Sequence, residues 1–158
     1  MTATGNVRFD QIAKDLGVSF DGEMKVGGNY VPVVASGNEI YVSGQIPRVG
    51  NAIAVTGRVG TDVSLAQAQH AARICVMRAL ALLRQSLGDL GRVRQVLRVT
   101  VYVQSAPDFT QQTEVADAAS QVLHDVLGAA GTHTRTSIGV YQLPKNAAVE
   151  LDLIATVD

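Results

Sequence analysis

The chain has 158 residues, 47% of them hydrophobic and 17% charged, and its 13 Lys and Arg residues nearly balance its 14 Asp and Glu residues. A chain of this length forms a single domain with one core, and its near-neutral charge disfavours nonspecific nucleic-acid binding, which needs a basic excess. The single cysteine excludes an intrachain disulfide and a cysteine-rich zinc site.

The first predicted elements are a short helix and a hairpin. Apolar residues at helical spacing predict a helix over 6–16, which a glycine directly follows. Two apolar runs, 30–35 and 39–44, flank a Ser-Gly-Asn turn and predict a β-hairpin. A proline in the first run places that strand's start there, or places the strand at an edge. The glycine-rich segment 45–62 predicts a loop with at most a short strand over 52–56.

A wide apolar stripe predicts the longest helix over 64–87. Asp62 or Ser64 can cap it, with Gln67 as the capping-box partner of Ser64, and a glycine can end it. Alternating β-branched residues then predict a strand over 93–104.

The last elements are a second long helix over 109–127 and two strands, 135–141 and 148–157, joined by a turn around 143–146. This order predicts an α+β sandwich in which two long helices cover one face of a sheet. Because the other face is left open and the chain is rather apolar, we expect self-association, for which a trimer is a natural solution. The N-terminus lacks a secretory pattern and no apolar stretch reaches ~18 residues, so we expect a cytoplasmic protein.

Four blocks of the sequence resemble the RidA/YjgF family of small proteins, in order and at the expected spacing. They are YVSGQIP at 41–47, VTVYV at 99–103 before PDF at 107–109, RTSIGV at 135–140 before LP at 143–144, and VEL at 149–151. The resemblance runs from about Tyr30 to the C-terminus. Residues 1–24 are an N-terminal extension with a short helix, within one domain over 1–158.

The resemblance implies a chorismate-mutase-like fold with a mixed sheet, and a homotrimer whose sheets form a central barrel. Three clefts between subunits would each hold a small carboxylate. In deaminating members of the family an imine or enamine of an amino acid is hydrolysed to a 2-keto acid and ammonia, without a cofactor. We expect this activity, with noncatalytic binding or sensing of 2-keto acids as the alternative. Ribonuclease or translation-inhibitor activity, a third possibility, is disfavoured by the charge.

Arg135 stands at the family's carboxylate-binding arginine. A guanidinium offers two parallel donors and a permanent charge, which suit a carboxylate. The sequence also allows a solvated strand start or a pair with a local acid. Ser137 and His133 flank it as further substrate-binding candidates, and His133 could donate a proton at neutral pH or be a simple loop residue.

Glu150 stands at the family's water-orienting carboxylate, and the cleft tyrosine of the family corresponds to Tyr30. Alternation along the last strand puts Glu150 and Asp152 on one face, where Glu150 could act as a general base or could be solvated. The pattern departs from established deaminases at Val31-Pro32 and at Thr113, where those members have polar residues and an asparagine.

The remaining chemically notable residues have structural interpretations. His70 and His124 lack spaced ligand partners and are expected at the surface or an interface. Cys75 lies in the apolar stripe of the long helix and is expected in the core. The Gly57–Gly60 segment resembles a phosphate loop but lacks its Lys and Ser/Thr.

Overall fold

The structure, a computed structural model, describes residues 4–158. Its helices and strands are, in chain order, α1 (Gly5–Leu16), β1 (Val33–Ser36), β2 (Glu39–Gln45), β3 (Arg48–Val49), β4 (Ala52–Ile53), α2 (Leu65–Leu87), β5 (Val93–Gln104), α3 (Gln112–Leu127), β6 (Thr134–Val140) and β7 (Val149–Val157). The first three residues of the predicted extension 1–24 lie outside the described residues.

Five strands form a mixed sheet in the order β1-β2-β7-β5-β6. The pairs β1–β2, β2–β7 and β5–β7 are antiparallel, whereas β5 and β6 are parallel. The predicted α+β fold with a mixed sheet is therefore confirmed. The last two strands are not neighbours, because β5 lies between them and the turn at 143–146 carries the chain past β5. Strand β1 lies at an edge directly after Pro32, where no ladder hydrogen bond from a proline is needed.

Helix α2 is buried along most of its length and packs on β2 and β7, while α3 packs against α2, β5 and β6. The hydroxyl of Ser64 accepts from the amide of Gln67, whose side chain accepts in return from the amide of Ser64, so the capping box is confirmed. Gly88 ends the helix in the left-handed region, at φ 86°. The two long helices thus cover one face of the sheet, as predicted.

Two predicted boundaries were wrong. Helix α3 begins at Gln112 rather than at 109, because the amide of Phe109 closes a turn onto the carbonyl of Ala106 before the helix starts. In the 45–62 segment, β3 and β4 form a small hairpin around Gly50 (φ 60°) instead of one strand over 52–56.

Helix α1 ends at Gly17 in the left-handed region, as predicted, and contacts α2 and α3. Its Phe9 is buried edge-to-face against Phe20, with ring centroids 6.0 Å apart. Across residues 4–158, no helix combines the length and apolar character that crossing a membrane requires.

The two faces of the sheet differ. Along β7, Val149, Leu151 and Leu153 are buried beneath the helices, and the residues between them face the other way. That second face, called the open face below, presents Tyr41 and Ile138, each about two fifths exposed. The open face therefore carries apolar surface that a single copy leaves in contact with solvent.

Candidate functional site

Glu150 lies at a cavity of about 200 Å³ near the end of β2. Tyr30, Ser43 and Gly44 line the same cavity, together with Pro144 and the side chains of Gln45 and three cationic residues. The structure therefore brings together Tyr30 and Glu150, which the sequence proposed as catalytic residues. Tyr30 contributes an exposed ring from the segment before β1.

A break in the strand pairing makes room for Glu150. The register of β2 on β7 shifts between Val42 and Gln45, so Ser43 and Gly44 leave the regular ladder. A side chain on Gly44 would put its Cβ 3.0 Å from Cδ of Glu150 and closer still to Oε1. Glycine at this position is what allows the carboxyl group to lie against the β2 backbone.

The electrostatic surroundings make Glu150 a stronger base than an ordinary glutamate. Burial raises the pKa of Glu150, and the neighbouring carboxylate of Asp152 raises it further. The pKa of Asp152 is itself raised by burial, an effect that hydrogen bonding from Tyr102 and the charge of Arg98 partly offset. The Tyr102 hydroxyl donates to Oδ2 of Asp152 at 3.2 Å. The sheet register puts both acids on the open face, as alternation predicted.

Arg135 belongs to a second cluster, on β6 and α3. Its Nη1 donates to Oδ1 of Asp117 and to Oγ of Ser120, both at 2.9 Å. The local acid that the sequence left open as a partner is therefore Asp117, which lies one helical turn before Ser120. Arg135 is largely buried and Asp117 is mostly exposed, so the pair lies at the surface.

His133 contacts this cluster through Ser120. Its Nδ1 lies 2.6 Å from the carbonyl oxygen of Gly131 and its Nε2 lies 2.8 Å from Oγ of Ser120. A carbonyl only accepts, so Nδ1 carries the proton and Nε2 accepts from the Ser120 hydroxyl, whose oxygen accepts from Arg135. Burial lowers the pKa of His133, and the charges of His124 and Arg135 lower it further against the raising effect of the Gly131 carbonyl. The lowered pKa favours the neutral imidazole, and both of its nitrogens are engaged by the chain.

Within one chain, the two clusters lie on opposite faces of the sheet. Arg135 is paired with Val99, whose side chain is buried under the helices. Arg135 therefore lies on the helix-covered face, and its guanidinium contacts α3. Ser137 is on the same face, two residues further along β6. Glu150 is paired with Tyr102 on the open face. The sequence predicted one site from residues that a single copy divides into two clusters.

The other singled-out residues have ordinary positions. Thr113 is exposed in the first turn of α3, and His124 is exposed with its ring stacked on that of His133 at 5.7 Å. Cys75 is buried, its thiol donating to the carbonyl of Val149 at 3.6 Å, and burial raises its pKa. Arg58, in the glycine-flanked segment, donates to the carbonyls of Ser105 and Tyr141. Within residues 4–158 no group of three or more His, Cys, Asp or Glu side chains is placed to hold a metal ion.

Sequence reasoning missed Asp117, Ser120 and Arg78. The first two show only as polar residues three apart on the predicted α3, a weak signal. Arg78 gave a clearer one, because it follows Cys75 by three residues and precedes Leu82 by four, which places it on the apolar stripe of α2. An arginine at such a position needs polar partners inside the fold.

Comparisons with known proteins agree with this architecture. The sequence model of the endoribonuclease L-PSP family matches residues 21–157. Protein TCP17 of Trypanosoma cruzi is 38% identical over 144 residues, which are 90% of each chain. The crystal structure of Atu1372 from Agrobacterium tumefaciens, a protein of unknown function, is 40% identical with a TM-score of 0.86, covering 98% of this chain and 94% of that one. E. coli TdcF with bound serine, 22% identical, shares the fold with a TM-score of 0.62 over 84% of this chain and 91% of its own.

Proposed function

The chain belongs to the endoribonuclease L-PSP family, the RidA/YjgF family, and on that basis we propose that it hydrolyses imine or enamine intermediates of small amino-acid-derived carboxylates to 2-keto acids and ammonia. The observation that carries the proposal is the half-buried carboxyl of Glu150, with a raised pKa, in a cavity that also holds a tyrosine and a serine. The family contains imine deaminases, and TdcF binds a small amino acid.

Glu150 supplies the proton transfers of the reaction. Protonated Glu150 first gives its proton to the enamine carbon, or to the nitrogen of an imine, which forms the iminium ion. Water then attacks the iminium carbon while the carboxylate of Glu150 takes a proton from it, forming a carbinolamine. Glu150 delivers that proton to the nitrogen, ammonia leaves, and the carboxylate takes the hydroxyl proton, which releases the 2-keto acid and restores protonated Glu150. A carboxyl with a raised pKa suits both steps, since it binds and releases a proton closer to neutral pH.

Arg135 binds the substrate carboxylate. Within the described part of the chain Nη1 makes the hydrogen bonds of the guanidinium, so Nη2 is available to donate to a ligand. Ser120, which is held in turn by His133, accepts a hydrogen bond from the guanidinium. The lowered pKa of His133 favours an uncharged imidazole, which does not repel the guanidinium. Ser137 lies beside Arg135 on the same strand face, as a further contact for the ligand.

The reacting cleft is formed between two copies of the chain. Arg135 and Glu150 point away from opposite faces of one sheet, so one copy cannot apply both to one small ligand. The exposed Tyr41 and Ile138 on the open face supply an apolar contact surface for association. We take the assembly to be a homotrimer with the open faces inside, in which each cleft joins Arg135 of one copy to Glu150 of the next.

Complementation between two inactive variants tests this arrangement. Arg135→Ala and Glu150→Gln are each expected to lose most of the activity, measured as release of 2-keto acid from a 2-aminoacrylate-type intermediate generated in the assay. Mixed assemblies of the two, formed by coexpression at equal levels, place intact partners in about a quarter of the clefts and regain activity in that proportion. A coexpressed pair of Arg135→Ala chains with different tags is the control.

If the mixed assemblies do not regain activity, then either Arg135 and Glu150 act from the same copy or one of them is not part of the site. Full activity of either single variant removes its role in hydrolysis. Equal rates with and without the wild-type protein end the enzymatic proposal.

Noncatalytic binding of 2-keto acids is the second candidate, favoured by the surroundings of Tyr30. The ring of Tyr30 is about half exposed and is followed by Val31 and Pro32, which offer no side-chain hydrogen bond to a water or an imine. A sensor needs only Arg135 and the cavity. Calorimetric binding of 2-ketobutyrate with no acceleration of imine hydrolysis would select this function.

A further inference from the structure

Three cationic side chains line the same cavity as Glu150. They are Lys25 before β1, Arg48 in β3 and Arg78 in α2. Within residues 4–158, ion pairs join Arg84 to Asp10, Arg94 to Asp158 and Arg135 to Asp117, and none includes these three cations. The cavity therefore collects three positive charges, none of which forms an ion pair within the described residues.

Arg78 is the buried member of the group, 6% exposed, and neutral oxygens hold it in place. Its Nε donates to the side-chain oxygen of Gln45 at 3.2 Å, its Nη1 to the carbonyl of Arg48 at 3.1 Å, and its Nη2 to the carbonyl of Lys25 at 3.5 Å. Gln45 is fixed in turn by a 3.1 Å hydrogen bond to the carbonyl of Ser43. These bonds orient the guanidinium but do not neutralise it, and an uncompensated buried charge is destabilising.

The positive charges also repel one another. Burial lowers the pKa of Arg78, an effect that Cys75 partly offsets and that the nearby charge of Arg48 reinforces. Glu150 forms no ion pair with them within the described residues, and its raised pKa disfavours the ionised form that a counter-ion requires. An arrangement that places several cations around one cavity is stabilised when an anion enters.

We propose that this cavity binds a second carboxylate of the ligand, so that the protein acts on imines or enamines of dicarboxylic amino acids. The inference rests on the proposed function: Arg135 of one copy holds the carboxylate beside the imine carbon, Glu150 of the next faces that carbon, and Arg78 with Arg48 and Lys25 holds the distal carboxylate. The volume of about 200 Å³ fits several heavy atoms, since a water occupies about 30 Å³.

The test compares binding of 2-oxoglutarate, a dicarboxylate, with that of 2-oxobutyrate, a monocarboxylate, by calorimetry on the assembled full chain. Wild-type protein is expected to bind 2-oxoglutarate at least about tenfold more tightly, as charge-assisted hydrogen bonds imply. The double variant Lys25→Met/Arg48→Gln should lose this preference. It is chosen because Lys25 is exposed and Arg48 only partly buried, whereas replacing Arg78 endangers the fold. Lys14→Met/Arg73→Gln, which removes the same charges away from the cavity, is the matched control.

Equal wild-type affinities for the two keto acids, or no binding of either, overturn the inference. So does a preference that survives in the double variant, or one that the control variant also loses. The two proposals can fail separately. If the protein prefers the dicarboxylate but does not hydrolyse imines, the proposed reaction is wrong and the cavity still binds a second carboxylate. If it hydrolyses imines in an Arg135-dependent way without that preference, the reaction stands and the second carboxylate site is wrong.

Discussion

The contact between Gly44 and Glu150 gives the sharpest test of how the cavity works. In Gly44→Ala the new methyl group would lie 3.0 Å from Cδ of Glu150 and nearer to Oε1, closer than a methyl and a carboxyl group can approach. The backbone of Gly44 is not in the left-handed region, so alanine fits it without dihedral strain. The end of the Glu150 side chain is what must move.

The two expected effects differ greatly in size. Turning Glu150 away from its rotamer costs about 0.5–1.5 kcal/mol, and replacing glycine by alanine returns about 0.4–1 kcal/mol through the unfolded state. The free energy of unfolding should therefore change by less than about 1 kcal/mol. Loss of a positioned general base lowers the rate by about 100- to 10,000-fold. Gly44→Ala should be folded, assembled and nearly inactive.

A matched glycine in the same cavity provides the control. Gly27 also lines the cavity, and a Cβ built on it has no described neighbour within 4 Å. Gly27→Ala should keep the rate of imine hydrolysis. The rate, the thermal unfolding midpoint and the assembly size would be measured for wild type and both variants.

Wild-type turnover by Gly44→Ala would refute the reasoning, since it would mean that Glu150 can leave its place without consequence. A large fall in unfolding midpoint would also refute it, because the cost would then lie in the fold and not in the carboxyl group. Equal loss of activity in Gly27→Ala would show that the cavity tolerates no added methyl, whatever Glu150 does.

Further predictions concern stability, anchoring and reactivity. Glu150→Gln should raise the free energy of unfolding at pH 7, because the raised pKa makes the ionised acid destabilising; urea unfolding should show the gain shrinking as the pH falls through the folded-state pKa. Asp117→Asn removes a rival carboxylate from Arg135 and should tighten 2-keto acid binding up to about fivefold by calorimetry. Ser64→Ala should cost about 1 kcal/mol of unfolding free energy without altering keto acid binding. Maleimide should label Cys75 only as the chain unfolds, as mass spectrometry would show.

Local signals in the sequence were enough to predict most elements. The capping box at Ser64, the helix-ending glycines at 17 and 88 and the alternation over 93–104 each act within a few residues, so the sequence displays them directly. Strand neighbours could not be predicted in this way. The parallel pairing of β6 with β5 is decided by how α3 packs across the sheet, which no local pattern records.

The candidate site could be predicted only in part from the sequence, for the same reason. Resemblance pointed to Arg135, Glu150 and Tyr30, and alternation put Glu150 with Asp152. Neither could reveal the bulge that brings Gly44 against Glu150, because a register shift depends on both strands at once. The Asp117 contact likewise needs β6 and α3 to be placed together.

His133 explains how the surroundings of Arg135 suit the carboxylate binding proposed for it. A protonated histidine this close would repel the guanidinium of Arg135 in the ligand-free protein. Here burial and the charge of Arg135 itself keep the imidazole neutral, and the Gly131 carbonyl fixes its proton on Nδ1. The free Nε2 must then accept from Ser120, which leaves the serine oxygen as an acceptor for Arg135. His133, which the sequence also suggested as a proton donor, therefore orients the guanidinium of Arg135 through Ser120, and in the proposed reaction Glu150 is the acid and base.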